Sequence, residues 1–278
     1  KELKKIGNFK KDNMYFSEHH LSHGASAFYP SPFEEAAILT MDGVGEWATT
    51  AISLGRGSNI EVKKELHFPH SLGLVYSAFT QFLGFRVNDG EYKLMGLAPY
   101  GDSSSSDTQK YIEKIKTELL EIKEDGSISL NLYYFDFLIG SRMVHQKKWQ
   151  QLFGFANRTT ENPITQNHCN LAYAIQNVIE DIVLKLAKTA KKLSGSENLC
   201  LAGGVALNCV ANGKLQRSGL FQNIWIQPAA GDAGGALGAA YAGHHILNQK
   251  PRLTNKSTDK MKASLLGPSF SKTEIENA

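Results

Sequence analysis

His19 and His23 have the types and spacing in this chain that most directly imply chemistry. Imidazoles four residues apart lie on one face of a helix, where both can reach one ion. His20 points about 100° away from them and is not expected to join. A polar helix face that happens to carry histidines is the alternative. Asp42 follows the apolar run Ala36 to Met41, which places it at a strand end. A carboxylate there can hold a metal while the N–H groups of a turn at Gly43 and Gly45 contact phosphate. An Asp-Gly hairpin explains the same residues without a ligand. Gly231-Asp232 repeats the arrangement after a later run, with helix capping as the competing explanation. Between them, Gly203-Gly204 end a strand-like run and open a helix at Val205. Bare backbone and a helix N-terminus suit a nucleotide phosphate, although a turn needing positive φ accounts for the glycines equally well. Asn208 is expected to face the same crevice from the first helical turn. Lys93 could meet a phosphate or carbonyl oxygen, oriented by Glu91, or form a surface ion pair. Glu46 is an outer group of the Asp42 turn or simply exposed.

The elements that must position these residues follow from periodicity. A short helix from about Ser17, its N-cap, to Phe28 carries the histidines, and Pro30 and Pro32 stop it. Glu35 to Met41, Trp47 to Leu54 and Ile60 to Phe68 read as strands, the last two separated by a turn at Gly55 to Asn59. Ser71 to Leu83 has helical spacing. Residues 85–165 are less regular and read as an insertion that shapes a pocket. They hold an exposed Ser103 to Ser106 loop, a helix from Thr108 to Ile122 and a hairpin at Asp125-Gly126. Beyond it come a long helix (Asn167 to Leu193), a strand (Asn198 to Leu201), a helix (Val205 to Arg217), a strand (Asn223 to Gln227) and an Ala/Gly-rich helix (Asp232 to Leu247). The domain plan is therefore an N-terminal segment at 1–32, an α/β domain at 33–248 and a polar tail or linker at 249–278. Three strands followed by alternating helices and strands predict a mixed sheet with helices on both faces. That order resembles the ribonuclease H-like subdomain of the actin, sugar kinase and heat-shock chaperone superfamily.

Composition narrows the function classes. The apolar fraction of 42% and charged fraction of 21% are those of an ordinary globular protein. A net charge of +3 over 278 residues, with no dense Lys/Arg stripe, argues against nucleic acid as a partner. The Lys1 to Lys11 stretch reads as a solvated face or frayed end. Three cysteines without CxxC spacing suit a reducing cytoplasm, and Cys200 reads as a small core residue. The apolar runs fall short of the ~20 residues a membrane span needs. The abrupt, charged start at Lys1 points to a piece of a longer protein.

Five segments together resemble one family: His19 to Phe28 (HHLSHGASAF), Met41 to Trp47 (MDGVGEW), Gly90 to Gly101 (GEYKLMGLAPYG), Leu201 to Asn208 (LAGGVALN) and Gln227 to Gly238 (QPAAGDAGGALG). They are similar to the O-carbamoyltransferases of nodulation and antibiotic tailoring, over about His19 to His245. The resemblance implies a domain like the tRNA threonylcarbamoyl-transfer protein, joined in full-length members to a YrdC-like domain. That partner domain would make carbamoyl-adenylate from carbamoyl phosphate and ATP. The first domain would pass the carbamoyl group to a hydroxyl of a small, often sugar-containing acceptor. It implies a divalent metal, Fe(II), on His19, His23, Asp42 and Asp232. It also implies nucleotide contacts at Gly43, Gly45, Gly203, Gly204, Val205, Asn208 and Gly231. His20, Glu46 and Lys93 are the candidates for a catalytic group. The resemblance leaves room for a homodimer, and implies that this chain lacks both a preceding half-subdomain and the YrdC-like domain. Leu266 to Phe270 resembles the linker towards that domain. Two other readings share the residues: threonylcarbamoyl transfer to tRNA, and a nucleotide-binding scaffold without turnover.

Overall fold

The computed structural model describes residues 5, 7, 14–254 and 258–278. Most of the Lys1 to Lys11 stretch therefore lies outside the described residues. Helix α1 (His19–Phe28) precedes three strands, β1 (Glu35–Met41), β2 (Ala48–Arg56) and β3 (Asn59–His67). Helix α2 (Leu72–Phe82) follows. The 85–165 segment holds α3 (Glu91–Leu97), α4 (Ser106–Lys114), the hairpin β4 (Leu120–Ile122) and β5 (Ile128–Leu130), and α5 (Gln146–Phe153). The chain returns through α6 (Gln166–Ser194), β6 (Asn198–Ala202), α7 (Cys209–Arg217), β7 (Asn223–Ile226) and α8 (Asp232–Ala242).

Five strands form one mixed sheet in the order β3-β2-β1-β6-β7. Strands β1, β2 and β3 are joined antiparallel, whereas β1, β6 and β7 run parallel. Successive strand residues point to opposite faces, and at β1 and β6 both faces are covered. Ala37, Leu39 and Met41 of β1, with Leu199 and Leu201 of β6, enter a large core beneath α2 and α6. Ala36 and Ile38, with Cys200 and Ala202, enter a second core beneath α1 and α8. That is why β1 reads as a continuous apolar run rather than an alternating one. Cys200 is a buried core residue, and burial pushes its thiol up to about 12.

Several boundaries differ from the periodicity, each for a local reason. The β2–β3 turn is only Gly57-Ser58, because the strands stay paired to Arg56 and Asn59. The helix expected from Thr108 to Ile122 ends at Lys114 and passes through a π turn at Ile115–Leu119. Leu120 then pairs with Leu130 across the Asp125-Gly126 hairpin. The 85–165 segment does not make a core of its own. Tyr111, Ile115, Ile128, Leu130, Trp149 and Phe153 join the large core with α2 and α6. Helix α8 stops at Ala242 and continues as a π turn to Leu247.

Nor is the segment after Asn248 wholly a tail. Arg252 is 7% exposed, and its guanidinium lies 4.1 Å over the Phe28 ring. It donates to the carbonyls of Phe28 (2.6 Å), Ser31 (2.9 Å), Tyr29 (3.2 Å) and Phe33 (2.6 Å). Phe28 and Tyr29 end helix α1, where carbonyls lack helical partners. A planar fork with five donors satisfies several of them at once. Sequence patterning could not show this, because a lone Arg in a polar stretch reads as solvated.

Arg252→Ala removes these donors and leaves buried carbonyls unpaired, so it is expected to lower stability by about 2–4 kcal/mol. Arg252→Lys should recover only part of the loss, since a single ammonium cannot reach four carbonyls. Urea unfolding of the three proteins checks both. A midpoint for Arg252→Ala equal to that of the parent chain would show that the clamp holds nothing.

Candidate metal centre

The site follows from strand direction. Because β1, β6 and β7 are parallel neighbours, their carboxyl ends emerge at one edge of the sheet, where α/β proteins form crevices. Asp42 follows β1, Gly203 follows β6, and Asp232 opens α8 after β7. Helix α1 packs across the same sheet and brings its first two turns to that edge.

The paired imidazoles and both carboxylates meet there. One ligand atom from each of His19, His23, Asp42 and Asp232 lies within 4.8 Å of every other. The Nε2 atoms of His19 and His23 are 3.0 Å apart, and each is 2.8 Å from Asp42 Oδ2. Asp232 Oδ1 is 3.5 Å from both. Two ring N–H groups aimed side by side at one oxygen would repel, whereas two ring lone pairs and two carboxylate oxygens suit a cation. The distances fit one. Ligands about 2.1 Å from a metal are separated by about 3.0 Å at right angles and about 3.4 Å in a tetrahedron. The three short edges match a facial set of two histidines and a carboxylate, the donor set of non-haem Fe(II) with positions left open. Nδ1 of His23 is buried without a partner, so nothing on the far side of the ring prevents Nε2 from presenting its lone pair.

Each ligand is held differently. His23 is 1% exposed and Asp232 79%, so the cluster grades from buried to open. Burial opposes the charge on Asp42, but when the His19 and His23 rings carry protons on Nε2 their hydrogen bonds, with that of the Gly43 N–H, outweigh it and keep this carboxyl far below the ordinary range. Its other oxygen, Oδ1, accepts from the N–H groups of Gly43 (2.8 Å) and Gly204 (3.1 Å). The hydrogen bond to Asp42 raises the His19 pKa against its burial. The expected cap at Ser17 is not used. Glu46, from the β1–β2 turn, accepts from the His19 N–H at 3.1 Å, and that bond lowers its carboxyl pKa.

Other expected site residues fall elsewhere. His20 joins Thr40 Oγ1 through Nδ1 (2.7 Å) and the Ala48 carbonyl through Nε2 (3.0 Å). Burial pushes it down to about 4, and neither ring nitrogen is left to accept a substrate proton. The N–H groups of Gly43 and Gly204, expected on phosphate, are directed to Asp42 instead. Gly45 N–H bonds the Ala48 carbonyl and Gly203 N–H the Ala230 carbonyl. Asn208 does not face the crevice. It is 8% exposed, caps α7 through the Ala211 N–H, and exchanges two 3.0 Å hydrogen bonds with Gln176 of α6. Residues Gly204–Leu207 form a 3-10 turn, so α7 begins only at Cys209. Val205 is half-buried against the large core, and Gly231 is the N-cap of α8. Glu91 accepts from Ser77 and Asn88 rather than orienting Lys93, which is exposed and near the Tyr92 ring.

Several residues that build the site carried no sequence signal. Thr40 and Ala48 fix His20, Gln176 fixes Asn208, and buried Gln227 donates to the Ser26 carbonyl of α1. Thr40 and Gln227 stand at the ends of apolar runs, the one pattern that could have drawn attention to them.

The chain has relatives among known proteins. The chain belongs to the family described as carbamoyltransferase N-terminus, whose pattern matches residues 1–241. It is 54% identical to the Synechocystis protein sll1178 over 99% of this chain and 44% of that one. It is 40% identical to the nodulation protein NolNO of Sinorhizobium fredii over 84% of this chain and 32% of that protein. For the nodulation protein NolO of Bradyrhizobium diazoefficiens the identity is 37%, over 80% of this chain and 37% of that protein. The chain thus spans less than half the length of these relatives. Among solved structures, HypF of T. kodakarensis aligns at a TM-score of 0.43 and 14% identity, over 87% of this chain and 38% of that one.

The turn that carries the Gly204 N–H to Asp42 depends on Gly203. Its φ is +89°, and a side chain there would run into the Met41 carbonyl. Gly203→Ala is expected to cost about 3 kcal/mol or more and to weaken metal retention. Thermal unfolding and metal analysis of the variant check this. A Gly203→Ala chain as stable and as metal-competent as the parent would rule the turn out as a support.

Proposed function

We propose that this chain is the transfer domain of an O-carbamoyltransferase, moving a carbamoyl group from carbamoyl-adenylate to a hydroxyl of a small sugar-like or natural-product acceptor. The observation that carries the reading is the four-residue cluster, two histidines and two aspartates at one sheet edge, in a chain of the carbamoyltransferase family. Kinship with two nodulation proteins supports a small acceptor over tRNA. The sheet order, with three antiparallel strands continued by two parallel ones, supports the ribonuclease H-like assignment, with 33–248 as that domain and 85–165 as its insertion.

His19, His23, Asp42 and Asp232 would hold a divalent metal, Fe(II) by donor type. When bound, such an ion supplies Lewis acidity towards a carbonyl or phosphate oxygen. The protein's own contribution is positional. Asp42 is pinned by two backbone N–H groups, and Glu46 and Arg252 hold the two ends of α1. Glu46 is the remaining candidate proton acceptor near His19, since both nitrogens of His20 are engaged. Lys93 and the turns at Gly45, Val205 and Gly231 are candidate contacts for the nucleotide. Carbamoyl phosphate and ATP would be handled by a YrdC-like domain of the longer protein. Among the described residues no helix is long and apolar enough to cross a membrane, which accords with a cytoplasmic enzyme. A homodimer accords with the reading as well.

Two measurements test it. Chain purified and titrated without oxygen should bind one Fe(II) or Co(II), and His19→Ala and His23→Ala should each lose it. Unchanged metal content in both variants would leave only a nucleotide-binding scaffold. The full-length protein, given carbamoyl phosphate, ATP and hydroxyl acceptors, should release AMP with formation of a carbamate ester. No AMP with any acceptor removes the enzyme assignment.

A further inference from the structure

The carboxylate of Asp42 is fixed by its own hydrogen bonds, but the peptide that carries it is fixed by a residue outside the ligand set. Ser71 is completely buried and precedes α2 as its N-cap. Its Oγ is 2.5 Å from the Gly43 carbonyl oxygen and 3.1 Å from that of Asp42. It also accepts the Leu74 N–H at 3.1 Å. A serine hydroxyl has one proton and two lone pairs. Capping needs only a lone pair, so the cap accounts for Leu74 and not for the proton. That proton lies between two carbonyls, one from the ligand itself and one from the residue after it.

The first turn of α2 presses on the same peptide. A Cβ at Gly73 would lie 2.6 Å from the Asp42 carbonyl oxygen and 2.7 Å from its carbon. Across the sheet edge, the Asp42 N–H donates to the Thr49 carbonyl at 2.9 Å. Asp42 is therefore held on its N–H side by β2 and on its carbonyl side by Ser71. Rotation of the Asp42–Gly43 peptide would carry off the Gly43 N–H, which anchors Asp42 Oδ1 at 2.8 Å, and so free the carboxylate to turn Oδ2 away from both Nε2 atoms.

We propose that Ser71 is a positioning residue of the metal centre. It holds the Asp42–Gly43 peptide so that Asp42 Oδ2 stays between His19 and His23. The inference rests on the metal reading of the four-residue cluster and adds a role outside it. Residues that orient metal ligands through hydrogen bonds commonly change affinity by about 10–100-fold when removed.

The test is titration of the whole chain with Co(II) in the absence of oxygen, reading both affinity and the visible absorption of the bound ion. Ser71→Gly removes the proton while keeping a residue that helix N-caps tolerate well. It is expected to bind Co(II) about 10–100-fold more weakly, with an altered absorption band. Ser71→Thr, which keeps the hydroxyl, should restore both. Ser105→Gly is the control, since Ser105 caps α4 at a half-buried position far along the chain, and it should leave both unchanged. Gly73→Ala is the second probe. It keeps the hydroxyl but displaces the same peptide, and should weaken binding as Ser71→Gly does. Parent-like affinity and absorption in Ser71→Gly overturn the proposal. So does an equal loss in Ser105→Gly, which would mark the effect as general destabilisation. A parent chain that binds no Co(II) overturns this proposal and the metal reading together, whereas a parent that binds and a Ser71→Gly that binds equally well overturns this one alone.

Discussion

The structure turns on the way Asp42 bridges two strand ends. One carboxylate oxygen accepts backbone N–H groups from its own turn and from the turn after β6, while the other faces the paired imidazoles. A carboxylate offers about four acceptor positions, and this one uses its two oxygens for different tasks. The Oδ1 bonds tie β1 to β6 beyond the last ladder pair, Thr40 with Ala202. Oδ2 is then left with one direction, towards α1. Burying such a group without partners would be costly. With partners on both oxygens it becomes a fixed point from which the rest of the sheet edge is measured.

The remaining elements can be understood as means of bringing α1 to that point and holding it there. Parallel strands alone place Asp42, Gly203 and Asp232 at one edge, since each leaves the sheet at its carboxyl end. They do not place the histidines. Helix α1 reaches them through the smaller core, where Ala25, Phe28 and Tyr29 pack against Ile38, Cys200 and Ala202. Close approach of α8 to α1 sets the remaining distance. A side chain at Gly238 would strike the Ser22 carbonyl, so the two helices touch backbone to backbone. The ends of α1 are satisfied by residues far away in the chain, Glu46 at the start and Arg252 at the finish. Isolated helices of this length are marginal in water, and tertiary capping and packing supply what length does not.

What the sequence made legible follows from which interactions are local. A strand with both faces buried leaves a nearly unbroken apolar run, so β1 could be bounded at Glu35 and Met41. The long helix α6 repeats its apolar face many times and could be read from that repetition. The i, i+4 histidines and the Asp after an apolar run are local patterns too, and they proved to be neighbours in space. Long-range hydrogen bonds have no such signature. Asn208 looked like a crevice residue because its place after a Gly-Gly turn is local, while its partner Gln176 lies on another helix. Gly43 and Gly204 looked like phosphate donors because exposed turn N–H groups commonly are, yet an acceptor 162 residues from Gly204 takes its hydrogen bond. Arg252 lies in a polar stretch that reads as a tail or linker for the same reason.

The graded burial of the four ligands carries its own physical meaning. His23 is almost wholly enclosed, His19 and Asp42 are partly so, and Asp232 stands in solvent. Side chains fixed by packing have lost their rotamer freedom on folding, so their geometry exists before any ion arrives. Preorganisation of that kind makes His19, His23 and Asp42 a template of fixed edges, 2.8, 2.8 and 3.0 Å. Asp232 differs, since it sits at the first position of α8 with most of its surface free. It can retain one rotamer or exchange it for another without disturbing a core. A cluster of three fixed donors and one free carboxylate would hold a cation through the former and leave its open side adjustable through the latter.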